Sequence, residues 1–157
     1  MFSYIYDGKS HTSLDLEYMS GLGMSGEAID SVFNSLEYER TRREDASFAE
    51  RYAATYAIIE VEIESGQLCA FDIGKGRDGV YGIQNINDAL MSLMLGDDPT
   101  AIFNWTMADN SEHPVTLNDL KAVAVEFNLR KNKIHIAHRD WRATDKHVSF
   151  KEYLETV

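Results

Sequence analysis

Between residues 26 and 65 the apolar side chains fall into two helical runs separated by a block of charge. Ile29, Val32, Phe33 and Leu36 recur at the three-to-four spacing of one buried helix face. Ser25 stands where an N-cap belongs. Residues 37–46, EYERTRREDA, carry charge on every side, so the helix either crosses solvent there or breaks. Ser47 and Glu50 offer a capping box for a fresh start. Phe48, Tyr52, Tyr56, Ile59 and Ile63 then form a stripe at 4-4-3-4 spacing, closed by Gly66 as a C′ residue. The spacing predicts one long amphipathic helix, or two in sequence, over 26–65. Such a stripe needs burial, against the rest of its own chain or in a bundle with copies of itself.

On either side the pattern is shorter in period. Residues 1–24 are brief apolar pieces broken by Gly8, Gly21 and Gly23, which read as an extended or loop-rich arm. QLCAFDI, residues 67–73, reads as a strand, and Ile83, Ile86, Leu90, Leu93 and Met94 as a compact helix over 83–96 ended by Gly96. The aromatics of 101–110 favour a strand, and SEHP, 111–114, a turn. Thr116 and Asp119 begin a second long helix, on which Leu120, Val123, Phe127, Ile134, His138 and Trp141 share a face. Ser149 and Glu152 form a capping box for a terminal turn or two. The expected fold is α+β: an N-terminal arm and helical segment, 1–66, followed by a small domain, 67–157, with a few short strands and two to three helices.

Composition narrows the class without naming a function. The chain has 157 residues, 44% hydrophobic and 11% aromatic, which is enough to build a core. No apolar run reaches the roughly 20 residues of a membrane span, and the first residues lack the basic start and apolar stretch of a signal peptide. Cys69 is the only cysteine, so an internal disulfide and a multi-cysteine zinc site are both ruled out, and a cytoplasmic origin is expected. The net charge of −11 is uneven. Residues 117–157 hold eight Lys and Arg against six acids, a net +2, which leaves −13 for residues 1–116. So acidic a body repels nucleic acid and anionic membrane at long range. It serves as a solubility surface, or as a face that docks on a basic partner.

Five features invite a chemical reading. Gly74, Gly76 and Gly79 stand in G-x-G-x-x-G register after a strand, the order of a dinucleotide-binding turn. Against it, Tyr81 and Gly82 fall where the helix should already run, Asp78 would repel a phosphate, and only one more strand follows. The glycines read as turn residues. His135 and His138 could share a metal with a third ligand, but His138 lies on the apolar face, as a core histidine would. Cys69 is mid-strand, with the character of a buried, inert thiol. GMSGE around Ser25 does not fit G-x-S-x-G. Arg130, Lys131, Lys133, Arg139 and Arg142 lie on solvated helix faces, without a nucleic-acid reader module around them. No cofactor, metal or catalytic residue is expected.

Over about residues 60–143 the chain resembles a family of domains of uncharacterised function found in tailed bacteriophages and prophages. Its members are commonly encoded among tail and tail-fibre genes. The resemblance rests on FDIGKGRDGVYGIQNINDALMSL and on Trp105, Ala108, Asp109 and Asn110. It continues through Val115, Thr116, Leu117 and Leu120 to a helix bearing His135, His138 and Arg139. It implies a non-enzymatic, tail-associated protein, either a tail or fibre component or a fibre assembly factor, in the virion or the host cytoplasm. Its partners would be other tail proteins and copies of itself, without nucleic acid or membrane. The expected assembly surface is Phe48, Tyr52, Tyr56, Ile59 and Ile63, together with the N-terminal arm. The competing expectation is a small acidic phage inhibitor of a host nucleic-acid-binding defence system.

Overall fold

The computed structural model describes residues 1–96, 98 and 100–157. It is a mixed α+β protein in which helices are joined by short antiparallel strand pairs. The chain forms two compact units, Met1–Arg51 with Ile136–Val157, and Tyr52–His135. The expected boundary at Gly66 falls inside the second unit, between two paired strands.

In the first unit the N-terminal residues, expected as an extended or loop-rich arm, are extended and paired into a hairpin. Strands β1 (Tyr4–Tyr6) and β2 (Lys9–His11) pair antiparallel, Tyr4 opposite His11. Asp7 and Gly8, at φ 50° and 73°, make the two-residue turn, because an Asp-Gly pair supplies the two positive φ values that match the twist of a hairpin. Helix α1 (Leu16–Gly21) follows, its first turn capped by the Asp15 carboxylate, which accepts from the Glu17 amide at 2.8 Å. Tyr4, Met19, Met24 and Val32 bury together beneath these elements. The fragments that read as broken apolar pieces have a small core of their own.

Helix α2 (Gly26–Thr55) starts at Ser25, whose hydroxyl accepts from the Ala28 amide at 3.1 Å. It runs unbroken through the charged block 37–46. The block is held partly within the helix, where Arg42 pairs with Glu39, and partly from outside it. Arg40 donates to the Asp145 carbonyl at 3.0 Å and Arg43 to that of Lys146 at 2.8 Å. Glu50 accepts the Lys151 amide at 3.0 Å. Ser47 starts nothing: it is buried mid-helix, donating to the Glu44 carbonyl at 2.6 Å. The helix also stops at Thr55 rather than near 65. From Ile59 the residues alternate Ile, Glu, Val, Glu, Ile, the period of a strand.

In the second unit β3 (Ile59–Glu62) pairs with β4 (Leu68–Phe71), Ile59 opposite Phe71. Gly66, at φ 90°, serves their hairpin turn rather than a helix end. Helix α3 (Gly82–Leu95) lies where the apolar spacing predicts it. Strands β5 (Phe103–Thr106) and β6 (Glu112–Val115) form another hairpin, so SEHP belongs largely to a strand. The turn is ADN instead. The Met107 amide donates to the Ser111 carbonyl at 2.8 Å, and Asn110 takes the left-handed position at φ 66°, which Asn tolerates. The core joins Ile59, Ile63 and Phe71 to Ile73, Ile86, Val115, Leu120 and Phe127.

Helix α4 (Leu117–Arg142) begins as the sequence predicts. The Thr116 hydroxyl accepts the Asp119 amide at 3.2 Å, while the Asp119 carboxylate accepts the Thr116 amide and the Glu64 amide, each at 2.9 Å. Asp119 is buried. Asp119→Ala is therefore expected to leave two amides without acceptors and to cost about 2–4 kcal/mol, read as a lowered urea midpoint at unchanged slope. Helix α5 (Phe150–Leu154) carries the expected Ser149–Glu152 capping box.

Candidate functional site

The expected interaction stripe does not form one helix face. Phe48 and Tyr52 are on α2, 52% and 43% exposed, while Tyr56 follows the end of the helix, partly buried. Ile59 and Ile63, 1% and 2% exposed, lie in the core of the second unit, so no partner can reach them. The inward positions of α2 are instead Val32, Leu36, Ser47 and Thr55. At Ser47 that face is polar, and its hydroxyl meets the His138 ring at 2.8 Å.

Each unit keeps its own aromatic group. In the first, the Phe48 ring meets the His138 imidazole at 5.3 Å, with the Arg142 guanidinium 5.8 Å from its centroid. Behind it His138, Trp141 and Phe150 stack and tilt together at 4.9–5.8 Å. In the second, Tyr56 lies 4.8 Å from Tyr52, 4.9 Å from Tyr81 and 5.6 Å from Phe127. Half-exposed rings held by other rings present rigid apolar area at little entropic cost, which is what a protein-binding surface uses.

Two serine–histidine pairs resemble catalytic parts and are wired otherwise. Ser47 Oγ lies 2.8 Å from His138 Nε2, and Arg51 lies 3.5 Å from Nδ1. The Ser47 hydroxyl already donates to the Glu44 carbonyl, so towards Nε2 it accepts, and the imidazole donates to Ser47 instead of drawing its proton. Beside β6, the Ser111 hydroxyl donates to Asp109 at 2.5 Å and lies 3.1 Å from His113 Nε2. These bonds hold the Asp109 carboxyl below its usual range, the Ser111 hydroxyl first and its amide second. Cys69 borders the same small cleft, of about 140 Å³. Burial pushes its thiol up, and the charges of Asp109 and Asp119 add to the shift, so it holds less thiolate than a free cysteine.

The glycine loop is likewise occupied with itself. The amides of Gly76, Gly79 and Gly82 donate to the carbonyls of Val80, Gly76 and Gly74 at 2.8–3.0 Å, so they do not point at a phosphate. Of the basic residues on α4, Arg130 donates to the carbonyls of Ala57 and Ile58, Arg139 pairs with Asp140 and Arg142 with Glu44. Among the described residues no group of three His, Cys, Asp or Glu could hold a metal ion, and no helix is long and apolar enough to cross a membrane.

A broad concavity lies in the first unit, where Met1, Phe2 and Ser3 run beside α2. It encloses about 800 Å³ and is lined by Glu27, Asp30, Asn34, Tyr38 and Arg43 among others. The family model for a domain of unknown function, DUF4376, matches residues 27–146. The chain belongs to this family. The DUF4376 segment runs from the first turn of α2 past the end of α4, and leaves the β1–β2 hairpin, α1 and α5 outside it. One wall of the concavity therefore belongs to the DUF4376 segment and the other to the residues before it. Neither a curated protein nor a solved structure matches the chain.

The Glu44 carboxylate, bonded to Arg142 at 2.8 Å and 3.8 Å from Lys146, is held below the usual carboxylate range, the Arg142 hydrogen bond being the largest cause. A lowered folded-state value stabilises above the unfolded value of about 4.3 and is lost as the pH falls through the folded one. Acid titration followed by circular dichroism should show Glu44→Gln losing less stability than the parent below about pH 4.3. The pair is partly exposed, so the difference stays under about 1 kcal/mol.

Proposed function

We propose that this DUF4376 protein is a tail-associated protein of a tailed bacteriophage or prophage, a tail or fibre component or a fibre assembly factor. It works by binding other tail proteins, in the virion or in the cytoplasm of the infected cell, and carries no catalytic centre. Support for binding over chemistry comes from one contrast. The hydroxyls, imidazoles and glycine amides that resemble catalytic parts spend their hydrogen bonds inside the fold, while Phe48 and Tyr52 keep about half their surface in water. The phage assignment rests on the sequence resemblance over residues 60–143. The Phe48 and Tyr52 rings are the contact residues retained from the expected stripe.

Mass spectrometry of density-purified phage particles, scaled to the major capsid protein, separates the two forms of the proposal. A component is present at a few to a few tens of copies per particle. An assembly factor is missing from particles but bound to tail proteins in the infected cell. A chain found in neither place is not a tail protein.

A further inference from the structure

Helix α4 has two apolar faces, and only one is used. Val123, Phe127 and Ile134 enter the core side, whereas Val125 and Leu129 stand on the opposite face, 58% and 65% exposed. Together with Ala122 and Asn132, also exposed, they follow a 3-4-3 spacing, the seam of a two-helix coil. An exposed apolar seam of this kind is not explained by the fold of its own unit.

We infer that the α4 face bearing Ala122, Val125 and Leu129 binds the same face of a second copy of this chain, with the helices antiparallel and a two-fold axis beside Leu129. The occupant follows from charge. Glu126 and Lys133 flank the seam on one side, at one heptad's separation and nearly equidistant from Leu129. An antiparallel two-fold pairing sets flank positions of one kind opposite each other, so each Glu126 faces the Lys133 of the other copy, twice per dimer. Both are exposed, and neither joins an ion pair among the described residues. Asn132 continues the seam with a polar side chain, which limits the apolar patch and makes the association modest and concentration-dependent. The surface is separate from the Phe48 and Tyr52 positions proposed for tail proteins, and it stands or falls independently of the phage reading.

Sedimentation velocity on the full chain over a range of concentrations tests the inference, with circular dichroism confirming that each variant is folded. The parent should shift from monomer to dimer as concentration rises, and Leu129→Glu should remain monomeric throughout. Glu126→Lys alone should raise the dimer Kd by about tenfold, since it sets lysine against lysine twice. Glu126→Lys with Lys133→Glu should restore it. A parent that stays monomeric, a dimer indifferent to Leu129→Glu, or a double exchange that fails to restore association would each overturn the inference.

Discussion

Gly82→Ala is expected to destabilise the second unit by about 3 kcal/mol or more, the upper range for overpacking. A Cβ at this first residue of α3 would sit 2.1 Å from the Asp72 carbonyl oxygen, 2.9 Å from its carbon and 3.0 Å from Ile73 Cα. All three are backbone atoms at the end of β4, so no side chain can swing aside. The contact is also where the helix is tied down, since the Gly82 amide donates to the Gly74 carbonyl at 2.8 Å. Gly74→Ala is the control. Its Cβ would meet nothing closer than 3.5 Å, and its cost should stay within about 1 kcal/mol in either direction. A phosphate-binding turn would rank the two differently, because it needs Gly74 and Gly76 for close approach of a ligand. Urea unfolding of Trp141→Phe versions, in which Trp105 alone reports, reads the second unit. Equal stabilities for the two alanine variants would contradict the packing role of Gly82.

Trp141→Ala should cost the first unit about 3–5 kcal/mol. The indole is fully buried, stacked on His138 at 5.8 Å and tilted against Phe150 at 5.7 Å, and its Nε1 donates to the Val148 carbonyl at 3.1 Å. Truncation opens a cavity, removes that hydrogen bond, and loosens the residues that carry the acceptor carbonyls of Asp145 and Lys146 for Arg40 and Arg43. Trp141→Phe keeps most of the ring area and loses the donor, so it should cost about 1–3 kcal/mol. Thermal unfolding followed by circular dichroism gives the order: parent, then Phe, then Ala. An alanine variant as stable as the phenylalanine one would mean that Trp141 packs loosely.

Much of the architecture was legible because it is written in local rules. The Ser25 cap, the α3 stripe and the reciprocal bonds of Thr116 with Asp119 and of Ser149 with Glu152 each need only neighbouring residues. The misreadings have physical causes. Ile59 and Ile63 satisfy a helical spacing and a strand alternation at once, and Glu60 and Glu62 between them decide for the strand. Asp7-Gly8 is a strong short-range hairpin signal, hidden by reading each glycine as a break. The charged block 37–46 could not be placed from sequence, because part of what holds it lies about 100 residues away, in the carbonyls of Asp145 and Lys146. The same distance hides which side of α2 turns inward in its second half, since the buried residues there, Ser47 and Thr55, are polar.

The central claim is that this protein acts by holding other tail proteins, with the exposed rings of Phe48 and Tyr52 as contact residues. Its most direct test is capture of the tagged chain from cells producing the phage that encodes it, with bound proteins identified by mass spectrometry and a Phe48→Asp, Tyr52→Asp variant alongside. The account predicts tail or tail-fibre proteins on the parent, and their loss from the folded variant. Recovery of a host nucleic-acid-binding protein in their place, or an unchanged set of tail proteins on the variant, would contradict it.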